Sequence, residues 1–172
     1  MSDQFQARPT VYKGIQMRSR MEAGYAAWLD KFEMKWEYEP CAFGYEAGQY
    51  LPDFRIQSVP LLGRGDRNVY IECKPWTFFV DDPKRELELF RRMWSITESD
   101  PDALLLIEVC GGGPRREGAN TCRLGRIHDR DEYVVLPLTW CRIPTSGGRV
   151  TLGLADPLDE SHGPWFGEWW RG

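Results

Sequence analysis

Val69-Tyr70-Ile71-Glu72-Cys73-Lys74-Pro75 is a short apolar strand that closes on an acidic-x-Lys tripeptide and a proline. Side chains alternate faces along a strand, so Glu72 and Lys74 point one way and Cys73 enters the opposite layer. The tripeptide alone decides nothing, because the pattern also occurs as Glu33-Met34-Lys35 and Asp82-Pro83-Lys84. The first of these lies at a helix end, and the second is explained as a helix start. Only Glu72-Cys73-Lys74 ends an apolar strand downstream of a Pro-Asp pair, Pro52-Asp53. A hairpin-related partner strand would bring the Asp53 carboxylate alongside that of Glu72.

Working outward, residues 1 to about 14 read as a loose lead-in. From Ser19 the apolar residues Met21, Tyr25, Trp28, Leu29 and Phe32 fall at helical spacing and predict an amphipathic helix. Trp36–Glu39, Gln49–Ile56 and Val69–Lys74 alternate in the strand manner and read as a three-strand meander. Asp82-Pro83 supplies an N-cap and a proline at the first helical position, with Leu87, Phe90 and Trp94 forming an apolar face up to about Ile96. Ala103–Val109 is a continuous apolar run that suits a buried strand reached through a helical crossover, which makes the sheet mixed. Cys122–Ile127 and Tyr133–Ile143 predict further strands, whereas 144–172 is rich in Gly, Pro and Trp without a clear period. The expected class is α/β, a central mixed β-sheet flanked by helices.

At 172 residues the chain holds one well-buried core, so a single domain over 1–172 is expected, with the informative core at about 14–110 and C-terminal strands and a Gly/Trp-rich tail over 111–172. An apolar share of 42% and a charged share of 28% fit a globular protein. No apolar run approaches the roughly 18 residues of a membrane span, and MSDQFQARPT does not read as a secretory signal; an intracellular, cytoplasmic protein is expected. Five cysteines (Cys41, Cys73, Cys110, Cys122 and Cys141) are odd in number and irregularly spaced, so they fit neither a disulfide framework nor a structural zinc site, and are read as reduced and packed as small apolar residues. The net charge of −4 counts mildly against a nucleic-acid binder. Distribution matters more than the sum: 17 of the 22 basic residues are arginine, clustered at pairs such as Arg18/Arg20 and Lys84/Arg85. Solvated surface charge is the default reading of each pair alone.

Two carboxylates converging at a sheet end make a hard, oxygen-rich site suited to Mg²⁺ or Mn²⁺. Lys74 beside them would position or help generate an attacking hydroxide and offset transition-state charge. The bland readings stand next to this one. Asp53 is equally a turn residue after proline, and Glu72 with Lys74 a charged strand face that deters aggregation. Ser19-Arg20-Met21-Glu22 matches a capping box, in which the glutamate serves backbone amides.

Order and spacing change the weighing. Arg18-Ser19-Arg20-Met21-Glu22-Ala23, then Trp36-Glu37-Tyr38-Glu39-Pro40, then Tyr50-Leu51-Pro52-Asp53-Phe54, then Val69 through Pro75 resemble the PD-(D/E)xK, restriction-endonuclease-like nuclease superfamily over roughly residues 14–110. Within it they look most like small phage-type endonucleases and the endonuclease subunit of heteromeric transposases. The resemblance implies a restriction-endonuclease-like sheet, hydrolysis of DNA phosphodiester bonds by Glu22, Asp53, Glu72 and Lys74, and a Mg²⁺ or Mn²⁺ ion. It implies as metal ligands Asp53, Glu72 and the Cys73 backbone carbonyl, with Glu22 assisting through water. Cys73 departs from the commoner aliphatic middle residue, and the region after Val109 carries no resemblance.

DNA is the expected partner, with a second copy or another protein as a further one. Arg18, Arg20, Lys84, Arg85 and Trp76 are the candidate nucleic-acid contacts. Trp76, Phe78 and Phe79 follow the motif strand and would stack on an unpaired base, although packing against the domain is the more frequent use of such residues. Two rival functions remain: a non-catalytic DNA-binding or assembly subunit that keeps the fold, and a junction resolvase or transposition-linked endonuclease acting as a dimer or beside a partner.

Overall fold

The computed structural model describes residues 7–61, 65–75, 78, 83–109, 139–144 and 150–155. Lys13 and Gly14 take positive φ, 47° and 82°, the backbone hand that closes a two-residue hairpin. They join β1 (Thr10–Tyr12) to β2 (Ile15–Met17), so the expected loose lead-in is corrected: regular pairing begins at Thr10. α1 (Arg20–Lys31) starts where the sequence placed it, with the Ser19 hydroxyl accepting the Glu22 N–H at 3.1 Å. Of its apolar stripe, Tyr25 and Leu29 are buried, and Met21 and Trp28 pack partly buried on the same core.

The meander is present in altered form. β3 (Trp36–Tyr38) is followed by a hairpin, β4 (Phe43–Tyr45) with β5 (Gly48–Tyr50), and only then by β6 (Phe54–Leu61) and β7 (Gly65–Lys74). β3 and β7 flank β6, both antiparallel to it. The single strand expected over Gln49–Ile56 is therefore two strands of different sheets, divided at Leu51-Pro52-Asp53. Proline has no N–H to give a ladder, which explains a break there. β7 also starts earlier than the expected Val69.

α2 (Pro83–Trp94) and a single-turn α3 (Ile96–Ser99) lead to β8 (Leu104–Val109), the expected buried strand, which pairs parallel with β7 from Val69–Leu104 to Lys74–Val109. Phe90 and Trp94 face the core as expected; Asp82, the side chain of Leu87, and the strand expected over Cys122–Ile127 lie outside the described residues. Of Tyr133–Ile143 the described part enters β9 (Thr139–Pro144). β10 (Val150–Ala155) is a strand in a segment where no period was expected, antiparallel to β9 and parallel to β6.

The main sheet runs β8-β7-β6-β10-β9, with β3 also on β6, and is mixed, as the α/β reading requires. The pleat sorts its side chains into two layers. Phe54, Ile56, Val69, Ile71, Cys73, Leu104 and Leu106 share a core with α1 residues Ala23, Tyr25, Ala26 and Leu29. Tyr70, Leu105 and Ile107 share the other core with Leu89, Phe90 and Met93 of α2 and with Phe43 and Tyr50 of the β4–β5 hairpin. Cys73 is buried in the layer opposite its neighbours, as alternation requires, but Cys41 is exposed, which corrects the expectation that it packs inside. No helix among the described residues is long and apolar enough to cross a membrane.

Phe54 is fully buried and its ring meets those of Tyr25, Trp36 and Tyr38, so one residue ties α1, β3 and β6 together. Phe54→Ala should cost about 3–5 kcal/mol of unfolding free energy, read from the denaturant midpoint at unchanged slope. A loss below about 1 kcal/mol would remove Phe54 from the centre of the core.

Candidate active site

β6 and β7 pair Phe54 with Ile71, and both enter the α1 layer. One step along that register sets Asp53 opposite Glu72, on the other face and at the end of the sheet. The backbone closes the pairing: the Cys73 N–H donates to Asp53 Oδ2 at 2.7 Å. Asp53 is 2% exposed and Glu72 6%. Two carboxylates thus lie side by side with little access to water.

Each carboxylate oxygen of the pair has a donor. Arg18 Nη2 donates to Asp53 Oδ1, while Lys74 Nζ lies 2.5 Å from Glu72 Oε1 and Tyr50 Oη donates to Glu72 Oε2 at 2.6 Å. Tyr50 is the last residue of β5, so the small hairpin exists partly to orient Glu72. Arg18 also pairs with Glu39 through Nε at 2.9 Å.

Burial is the first cause that pushes Asp53 up, from 3.8 to about 7, and the Glu72 charge is the second; Lys74 and the Cys73 N–H oppose them. Arg18 Nη2 bonds the same carboxylate, and its charge favours the ionised form against these two causes. Partial burial works against the Arg18 charge too, but Asp53, Tyr38, Glu22 and Glu39 outweigh it and hold the guanidinium charged. Tyr50 is raised well above its ordinary value, by burial and then by Glu72.

Glu22 is buried at the first turn of α1, and its capping use is visible. Its N–H is capped by Ser19, and its carboxylate accepts from Ser19 Oγ at 2.8 Å and from the Arg18 N–H at 3.0 Å. Tyr38 Oη then donates to it at 2.6 Å, tying α1 to β3. Burial and this hydrogen bond raise Tyr38 to about 12. Glu22 contributes charge to Asp53 from one step away.

The donor chemistry fits a hard divalent cation. A carboxylate oxygen carries two lone pairs, so each oxygen of Asp53 and Glu72 keeps one after its present bond. A cation between the two would remove the repulsion that helps raise Asp53. Among the described residues no group of three or more His, Cys, Asp or Glu could hold a metal ion.

Of the other expected contacts, Arg18 reaches the site, and Arg85 of α2 lines the same cleft as Glu72 and Lys74. Arg20 and Lys84 are exposed outside that lining, and Trp76 lies outside the described residues. Tyr50 and Tyr38 are site residues that sequence reasoning did not single out as such. Their only signal was position, one residue before Leu51-Pro52-Asp53 and one before Glu39-Pro40. No family model, curated protein or solved structure matches the chain.

Because Asp53 holds its proton more tightly folded than unfolded, its stabilising contribution is full below pH about 4 and is lost as pH rises through about 7. In chelator, unfolding free energy should therefore fall across that window, and Asp53→Asn should flatten the fall. An unchanged slope in the variant, by denaturant titration at each pH, would contradict the site's electrostatics.

Proposed function

We propose that this chain is a metal-dependent nuclease with a restriction-endonuclease-like, PD-(D/E)xK core, hydrolysing phosphodiester bonds of DNA. The observation that supports it is the burial of Asp53 beside Glu72 at a sheet end, with Lys74 on the same face and in contact with Glu72. Buried carboxylates forced together cost stability, and such clusters gather where chemistry needs them.

In this reading Asp53, Glu72 and the Cys73 carbonyl hold Mg²⁺ or Mn²⁺, with Glu22 assisting through water. When bound, the cation supplies Lewis-acid stabilisation of charge on the phosphate and acidifies a water. The chain does the rest. The Cys73 N–H and Tyr50 hydroxyl fix the orientations of Asp53 and Glu72, so neither carboxylate has to reorganise as charge develops. Lys74 reaches the site from Glu72's own strand, where it positions the attacking water and offsets charge on the phosphoryl group. Water adds to phosphorus, the P–O ester bond breaks, and the strand ends as a phosphate and a hydroxyl. Arg18 occupies Asp53 Oδ1 as a cation would, and its half-exposed side chain is free to swing toward phosphate once that charge is met otherwise.

Supercoiled, linear, branched and single-stranded DNA incubated with Mg²⁺, Mn²⁺ or EDTA tests the reading. Cleavage should require metal and be abolished by Asp53→Ala and by Glu72→Ala in protein shown to be folded. Lys74→Ala should lower the single-turnover rate by about 10²-fold or more while metal affinity survives, and Lys74→Arg should rescue poorly, since a guanidinium keeps the charge but not the shape or the exchangeable proton. Binding of DNA without metal-dependent cleavage would turn the reading to a non-catalytic subunit.

A further inference from the structure

An open cleft of about 600 Å³ runs between the end of β5 and α2. Of the site's residues Arg18, Tyr50, Glu72 and Lys74 line it, and Asp53 does not. Arg18 stands between them: one edge of its guanidinium bonds Asp53 Oδ1, while the side chain, 53% exposed, faces the cleft. Asp53, at 2% exposure, is thus covered by a cation that water can reach.

The rest of Arg18 is anchored independently of that bond. Its backbone N–H donates to Glu22 Oε2 and to Tyr38 Oη, both at 3.0 Å, which fixes the point from which the side chain springs. Its Nε bonds Glu39 Oε1 at 2.9 Å. Glu39 is itself fixed: its N–H donates to the Asp53 carbonyl at 3.0 Å, and its φ of 45° lies in the left-handed region, which a non-glycine residue holds only where its surroundings impose it. A guanidinium anchored at its root and at Nε can release Asp53 and turn its outer nitrogens without leaving the site.

Resting on the nuclease reading, we infer that Arg18 is a gate which the cation itself opens: without a cation it covers Asp53, and once Asp53 and Glu72 hold one it turns into the cleft and binds a DNA phosphate. The two oxygens of Asp53 differ in what they can give up. Oδ2 is held by the Cys73 N–H, a backbone group of a strand paired on both edges, whereas Oδ1 is held by a side chain. A divalent cation arriving at the pair meets a guanidinium on the same carboxylate. Like charges repel, and the ion of higher charge takes the oxygen. Displaced, Arg18 keeps its charge and lies in the cleft beside Lys74, where its planar fork matches two phosphate oxygens. A fixed counter-charge would act otherwise: its removal would leave Asp53 Oδ1 without its donor and the metal site no tighter.

The test reads metal binding and DNA binding separately, on the full chain. Mn²⁺ titrated without DNA, and followed by the electron paramagnetic resonance of the free ion, should bind Arg18→Ala and Arg18→Gln about tenfold or more tighter than the parent, because the covered state no longer competes. A misfolded variant would not show such a gain. Affinity for a fluorescent duplex oligodeoxynucleotide is then measured by anisotropy against salt, in Ca²⁺ and in EDTA. In Ca²⁺ the slope of log K against log salt should be shallower in Arg18→Ala by about 0.9, one phosphate contact's worth. In EDTA, with Arg18 on Asp53, the two slopes should agree. Mn²⁺ bound no more tightly by the two variants, a slope difference as large in EDTA as in Ca²⁺, or none in either, with metal-dependent cleavage by the parent intact, would overturn the gate and leave the nuclease standing. A parent that neither binds Mn²⁺ nor cleaves would overturn both.

Discussion

Two carboxylates, Asp53 and Glu72, are held next to each other where water scarcely reaches, and the surroundings are arranged to bear that cost. Isolated buried charge is expensive enough that a group ordinarily neutralises instead, and Asp53, pushed up to about 7, stands at the edge of doing so. The neighbours each answer one oxygen: a backbone N–H, a tyrosine hydroxyl, a lysine and an arginine. Remove the pair and these contacts lose their common purpose. The β4–β5 hairpin would have no carboxylate to orient, and Arg18 would keep only Glu22, Tyr38 and Glu39.

The fold makes the pairing unavoidable. Once Phe54 and Ile71 both enter the α1 layer, alternation sends Asp53 and Glu72 together to the opposite face. β8 runs parallel on the far side of β7, with Leu104, Leu105, Leu106 and Ile107 buried, so the strand bearing Glu72 is fixed on both edges. Precision at the site therefore comes from the sheet rather than from loops, and the loop residue Asp53 is pinned by its bond to Cys73. Helix α1 contributes from the other layer, where Glu22 serves its cap and, through Tyr38, anchors β3.

Local pattern was enough for the elements that bury one face. Val69–Lys74, Ala103–Val109 and the stripe from Met21 to Phe32 carried their periods openly, and Ser19 marked a helix start that the structure uses. The split at Pro52 was written in a residue without an N–H, yet the alternation on either side of it masked the break. β1 and β2 were missed because a Lys-Gly turn is a weaker signal than Asn-Gly. β10 was missed although Val150, Leu152 and Leu154 alternate, because the glycines and prolines around them dominate the composition. The partners of the carboxylates were not legible at all: Tyr50 to Glu72 and Arg18 to Asp53 are contacts across 22 and 35 residues, set by which sheet each strand joins. Sequence placed the charges; only tertiary pairing shows how they are held.

The central claim is that Asp53 and Glu72 form the two protein carboxylates of one cation site, and its most direct measurement is an anomalous difference map from crystals grown or soaked with Mn²⁺. The account predicts one strong peak with a carboxylate oxygen from each residue at about 2.0–2.2 Å, absent in crystals of Asp53→Asn. Crystals saturated with Mn²⁺ that show the ion bound elsewhere, with Arg18 and Lys74 still closing both carboxylates, would contradict it.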